Sequence, residues 1–205
     1  MIMKKHILAA SLAVVLASVS TASLAADTGN FYVGAEVGQA QYRLGVAPGE
    51  HLDAKDTAAA VRFGYVWHWA VDFGVEGGYV NLGKLTDDYT NNNGGYSSNM
   101  SVETSGLFAG AEVKYHFADV WYVSARAGAF QSHVKLRDHD SSPEGGNYRA
   151  SSTNGSWYAG AGVGYELTPE FSLGLSYDNY RSKAGIDESV TFNTAMFALS
   201  AEYRF

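Results

Sequence analysis

The sequence predicts an all-β protein, an eight-stranded antiparallel up-and-down transmembrane β-barrel, and three observations predict it. Eight segments alternate apolar with small or polar residues at period two. The connections between them alternate short with long, the layout of a barrel with an even strand number. Charges and glycines gather on one parity of residue number and apolar side chains on the other. A charge at mid-bilayer on the lipid face costs about 2 to 4 kcal/mol, so a lipid-facing exterior demands this segregation.

The segments run over residues 30–42, 58–67, 71–82, 102–117, 121–136, 156–167, 171–181 and 191–205. Each is long enough to cross a membrane as a tilted strand, which takes about 9 to 11 residues. Apolar side chains take the odd numbers in every one, beginning with Phe31, Val33 and Val37 in the first segment and Val61, Phe63 and Tyr65 in the second. Val71, Phe73, Val75 and Tyr79 follow in the third, then Leu107, Val113 and Tyr115, then Val123, Ala125 and Ala127. Ala159, Ala161, Val163 and Tyr165, then Phe171, Leu173, Leu175 and Tyr177, complete the sixth and seventh. The eighth carries Phe197, Leu199, Ala201, Tyr203 and Phe205.

The charges of these spans are even: Glu36, Arg62, Asp72, Glu76, Glu112, Lys114, Arg126, Glu166, Asp178, Glu202 and Arg204. Glu103, Lys135 and Arg181 are odd, and all three stand at long-loop ends, where water is available. The even face is also rich in glycine, from Gly34 to Gly174, which leaves room for long charged side chains inside a narrow barrel. A soluble β-sandwich would instead turn its large aliphatic residues inward. Short turns fall at His68-Trp69, Ala118-Asp119 and Thr168-Pro169-Glu170, and longer polar loops at 43–57, 83–101, 137–155 and 182–190. Aromatic residues gather at the strand ends: Trp67, Trp69, Tyr115, Phe117, Trp121, Phe171, Tyr203 and Phe205 by the turns, and Tyr42, Tyr79, Trp157 and Tyr177 towards the loops. These positions predict two interfacial girdles.

Ahead of the strands, residues 1–26 combine Lys4 and Lys5, an apolar stretch from Ile7 to Val15, and the small-x-small site Ser23-Leu24-Ala25. That pattern is a cleaved export signal over residues 1–25, with cleavage after Ala26 as an alternative, and it leaves residues 26–205 as one barrel domain. With a formal charge of −7 and no Lys/Arg cluster, nucleic acid is excluded as a partner. The absence of Cys removes disulfides, thiol nucleophiles and Cys-ligated zinc. No cofactor, metal or catalytic residue is assigned.

At the C-terminus, MFALSAEYRF resembles the final strand of bacterial outer-membrane barrels, in which the last aromatic residue is an assembly signal. FYVGAEVGQAQYRLG, VDFGVEGGYVNLG and YAGAGVGYELTPEFSLGLSYDNY are similar to the eight-stranded transmembrane domain of the OmpA family, without its periplasmic peptidoglycan-binding domain and nearer in size to OmpX-type relatives. The resemblance implies that Phe197, Leu199, Ala201, Tyr203 and Phe205 address the barrel-assembly machinery, in the outer membrane of a Gram-negative bacterium. It further implies that Glu76 corresponds to a lumenal glutamate of a salt-bridge switch. The switch partners of that family are replaced here by Gly164 and Gly174, and Glu36 stands where the family has Lys.

Counted from the turns, Glu36, Arg62, Glu76, Glu112 and Arg126 share a middle depth of the lumen, with Arg62 and Arg126 expected to bridge the three glutamates. Such a cluster is either a structural plug or the gate of a narrow pore. Catalysis would need a nucleophile beside a histidine, but Ser132 and His133 are adjacent in a strand and point to opposite faces. Arg137-Asp138-His139-Asp140 reads as a solvated loop, with a divalent cation as the alternative. The Asn-, Gly-, Ser- and Tyr-rich stretch 87–99 suits either a contact surface or a solvated loop. The expectation is a monomeric, non-enzymatic envelope protein whose partners are outer-membrane lipids, lipopolysaccharide and a host or cell-surface ligand at the loops. A porin-like channel and a lipid A-modifying enzyme are the alternatives.

Overall fold

The computed structural model describes residues 29–43, 53–91, 96–140, 146–184 and 190–205. Eight strands follow in order: β1 (Gly29–Arg43), β2 (Asp53–Trp67), β3 (Asp72–Asn91), β4 (Tyr96–Phe117), β5 (Trp121–Asp140), β6 (Asn147–Glu166), β7 (Phe171–Ala184) and β8 (Val190–Arg204). Each pairs antiparallel with the next, and β1 closes on β8 from Tyr32↔Arg204 to Arg43↔Asn193. Closure removes both sheet edges, which a structure crossing hydrocarbon requires.

Side chains sort by parity as period two demands. Leu199 (64% exposed), Phe63, Leu107 and Phe197 point outward, while Glu36, Arg62, Asp72, Glu76, Glu112, Lys114, Arg126 and Asp178 are buried inside. The turn between β4 and β5 holds Ala118 and Asp119 at φ 52° and 64°, the left-handed pair that matches the twist of a tight hairpin. Between β6 and β7, Thr168 Oγ1 accepts from the Phe171 amide at 3.0 Å.

On the loop side the strands run further than the apolar alternation indicates. β3 and β4 stay paired to Asn91↔Tyr96, and β5 and β6 to His139↔Asn147. Much of 83–101 and 137–155 is therefore hairpin rather than loop, and the 137–140 stretch is the end of β5. A ladder standing clear of the bilayer has water on both faces, so its sequence carries no apolar alternation.

Two further expectations are corrected. Tyr42 belongs to no girdle: it is buried inside the barrel, and its hydroxyl donates to Leu82 O at 3.0 Å. Nor is the even face only small and charged. Its outer half carries Phe108, Phe130, Val134, Phe192 and Met196, which join Tyr158 and Tyr180 in an apolar cluster within the barrel. Gly83 marks where β3 bulges and leaves β2, at φ 87°. A Cβ there would come within 2.8 Å of Thr57 O, so glycine is the residue that fits.

Candidate functional site in the barrel lumen

Inward residues at neighbouring heights on different strands meet across the lumen. Arg62 of β2 is the hub of the middle layer: Nη1 donates to both Glu76 oxygens at 3.2 Å, and Nη2 lies 3.1 Å from Glu36, 3.3 Å from Asp178 and 3.1 Å from the Tyr180 hydroxyl. Arg126 of β5 donates to Glu36 at 2.8 Å and to both oxygens of Asp178 at 2.7 Å. Guanidinium suits this position, because its planar fork spans several carboxylates while remaining charged. Tyr158 donates to Glu76 at 2.5 Å.

Glu112 departs from the expected bridge. It faces Arg126 directly across the β4–β5 ladder, yet Arg126 reaches over the lumen to Glu36 and Asp178 instead. Glu112 lies 3.4 Å from Lys114 and accepts from the Tyr32 hydroxyl, which also touches Glu76 at 3.5 Å. Tyr32 thus joins the middle layer to a second network nearer the turns. There Lys114 holds Glu202 at 2.6 Å, and Arg204 links Glu202 at 3.1 Å to Glu166 at 2.5 Å. His116 lies between Glu166 (3.0 Å) and Asp72 (3.5 Å), and His68 is 3.1 Å from Asp72. Removing one partner of such a buried pair strands the other, which makes the network mutually dependent.

Depth counting missed Asp178, Lys114 and the tyrosines. Parity marked Asp178 and Lys114 as lumenal, but the stagger of a closed barrel sets their height, and no single segment reveals stagger. The lumenal glycines make room for more than charge: Gly160 leaves space for the Asp178 carboxylate, as expected, whereas those at 78, 106 and 164 accommodate the rings of Phe108, Phe130 and Tyr122.

The lumen is filled in two layers. The Arg62 guanidinium lies 4.6 Å from the centre of the Phe108 ring, where ionic and apolar layers meet. Above it, Phe108 contacts Tyr158 and Tyr180 at centroid distances of 5.2 and 6.5 Å, and Phe130 lies 5.1 Å from Tyr180. Below, the space walled by Tyr32, Glu36, Arg62, Glu112, Lys114 and Arg126 amounts to about 30 Å³, the scale of one or two waters.

His133 Nδ1 lies 2.8 Å from Thr153 Oγ1 on β6, a cross-strand hydroxyl contact that spacing along one strand cannot reveal. His51 and the side chains of Asp138, His139 and Asp140 lie outside the described residues. Among the described residues no three His, Asp or Glu side chains converge as a metal site. At the C-terminus Phe197, Leu199 and Tyr203 are exposed and Ala201 and Phe205 half-buried, and the Phe205 amide donates to Phe31 O at 2.9 Å.

No curated protein sequence matches the chain. Among solved structures, Neisserial surface protein A is similar, with 12% identity, a TM-score of 0.53 and coverage of 85% of this chain and 97% of that one. The outer membrane protease OmpT of Escherichia coli has 9% identity, a TM-score of 0.51 and coverage of 87% and 97%. Ail, the attachment invasion locus protein of Yersinia pestis, has 20% identity, a TM-score of 0.49 and coverage of 85% and 99%. At such identities the likeness is one of fold. Residues 9–205 match the family described as outer membrane protein beta-barrel domain, and with its closed eight-stranded barrel the chain belongs to that family.

Proposed function

We propose that the protein is a non-enzymatic surface component of the outer membrane, in which the barrel anchors and the extracellular hairpins bind. The observation that carries this reading is the filled lumen: an aromatic layer over an ion-pair layer, with about 30 Å³ of free space between the charged residues. In this reading Glu36, Arg62, Glu76, Glu112 and Arg126, together with Asp178, are a plug, and partner recognition falls to the β3–β4 and β5–β6 hairpins. Residues 1–25 act as the removed export signal and 26–205 as the monomeric barrel. Phe197, Leu199, Ala201, Tyr203 and Phe205 present the terminal strand to the assembly machinery.

Single-channel recording of refolded protein in a planar bilayer, after heat-shifted gel mobility has verified folding, tests the plug. Silence is expected, and persistent discrete currents would favour the pore reading. Replacing the β3–β4 hairpin tip with a short turn is expected to abolish binding to host or bacterial surfaces while folding survives.

A second reading, a lipid-modifying enzyme, rests on the contact between His133 and Thr153. A catalytic imidazole is ordinarily oriented by a third group, and no hydrogen bond links His133 to a described carboxylate. Unchanged lipid A mass in an overexpressing strain is the outcome expected here.

A further inference from the structure

The two histidines at the turn-side mouth stand between groups that only accept hydrogen bonds. His116 of β4 has Nδ1 3.5 Å from Asp72 of β3 and Nε2 3.0 Å from Glu166 of β6. His68, in the turn between β2 and β3, has Nδ1 3.1 Å from the same Asp72 oxygen and Nε2 3.0 Å from the Asn30 side-chain oxygen of β1. The Asn30 amide cannot be reversed, because its Nδ2 donates to Phe205 O at 2.6 Å and that oxygen has no proton to offer in return. A neutral imidazole donates from one ring nitrogen and accepts at the other, whereas imidazolium donates from both. Each ring therefore matches its surroundings in full only when it carries two protons.

The charge of the network points the same way. Among the described residues, Asp72, Glu112, Glu166 and Glu202 set four carboxylates against two fixed cations, Lys114 and Arg204. Two imidazolium rings make up the difference. The other groups around the rings add no cation: the Tyr122 ring of β5 lies 5.7 Å from His116, and Asp119 and Glu170 of the neighbouring turns line the same cavity of about 560 Å³. The side chains of His68 and His116 are 37% and 28% exposed, so protons of the turn-side water reach them.

The seam where the barrel closes ends at this cluster. Phe205, just past β8, donates its amide to Phe31 O of β1 at 2.9 Å and accepts from Asn30 at its own oxygen. A path from Asp72 through His68 and Asn30 to Phe205 thus ties the β2–β3 turn to the β1–β8 seam. We propose that His68 and His116 form a proton-operated latch on the closing seam, with Asp72 as the shared catch. Charged, His68 donates to Asp72 and Asn30 together and holds the Asn30 amide towards Phe205. Neutral, it turns a lone pair on one of these two oxygens, and that contact opens. His116 acts on the same catch, since Asp72 meets both rings with one oxygen. The contribution is complete while the rings are charged and is lost as rising pH removes their protons. This end of the seam is therefore firmest in mild acid, whatever the hairpin tips bind.

The test follows amide hydrogen exchange in the full folded barrel in lipid nanodiscs from pH 5.5 to 8.5, across the range in which imidazole gains and loses charge. Protection, corrected for the intrinsic pH dependence of exchange, is compared between the Phe205 amide and the Leu199 amide in the middle of β8. Over this range Phe205 is expected to lose protection about ten-fold, the factor that one charge-assisted hydrogen bond carries, while Leu199 keeps its own. Nitrogen-15 shifts of the two rings should show the second proton leaving over the same pH span. His68→Gln should remove the step at Phe205, and His116→Gln should shrink it. If His68→Gln does not fold, the comparison of exchange with ring shifts in the wild type decides. Protection that is flat with pH, a step retained in His68→Gln, or a step at a pH where neither ring changes charge would overturn the latch.

Discussion

Arg126 grips Asp178 with a two-point fork, Nε to Oδ1 and Nη2 to Oδ2, both at 2.7 Å. Between them on β6 stands Gly160, paired with Arg126 on one side and with Asp178 on the other. A Cβ on Gly160 would overlap the Asp178 carboxylate. Gly160→Ala is therefore expected to break the fork and lower stability by about 2 to 3 kcal/mol. Gly155→Ala on the same strand meets open space and should change stability by about 0.5 kcal/mol or less. Urea unfolding of both variants in lipid vesicles checks this, and equal midpoints would contradict the fork's role.

Arg62→Ala leaves Glu36, Glu76 and Asp178 without their shared cation. The expected loss is about 3 to 5 kcal/mol. Arg204, at the open turn-side mouth, has water as a substitute partner, and Arg204→Ala should cost less. Unfolding midpoints in the reverse order would refute the assignment of Arg62 as the hub.

Leu199→Arg places a charge on the lipid face at mid-depth of β8, at an expected cost of about 2 to 4 kcal/mol. Thr191→Arg, on the same outward face beyond the belt, should cost about 0 to 1 kcal/mol. Refolding yield into vesicles reads the difference, and matched yields would mean that β8 does not face hydrocarbon at Leu199.

Ala118 carries a left-handed φ of 52°, which a Cβ disfavours. Ala118→Gly is expected to stabilise the barrel by about 0.5 to 1 kcal/mol. Asp119 tolerates the same region better, so Asp119→Gly should gain less. A lowered midpoint for Ala118→Gly would show that the hairpin does not hold this turn in the membrane.

Parity was legible because lipid and lumen alternate residue by residue, so Phe63 beside Arg62, or Leu199 beside Ser200, declares its face locally. Height was not, because it depends on stagger between strands: Asp178 meets Arg126 only after β5, β6 and β7 are aligned. The aromatic layer was hidden for another reason. At Phe108, Phe130 and Met196 both parities are apolar, and a period-two pattern has no contrast there. The outer hairpins were hidden because a ladder in water needs no apolar face.

Those hairpins also fix reach. β3 and β4 remain paired twelve residues past the belt residue Tyr79, to Asn91, about 40 Å along the strand. The tip is thus carried on a stiff stalk whose height is set by the number of paired rungs, not by the residues at its end. Deleting two rungs would lower the tip by about 7 Å along the stalk and leave its chemistry untouched, so the distance of the tip from the barrel is set independently of the residues it presents.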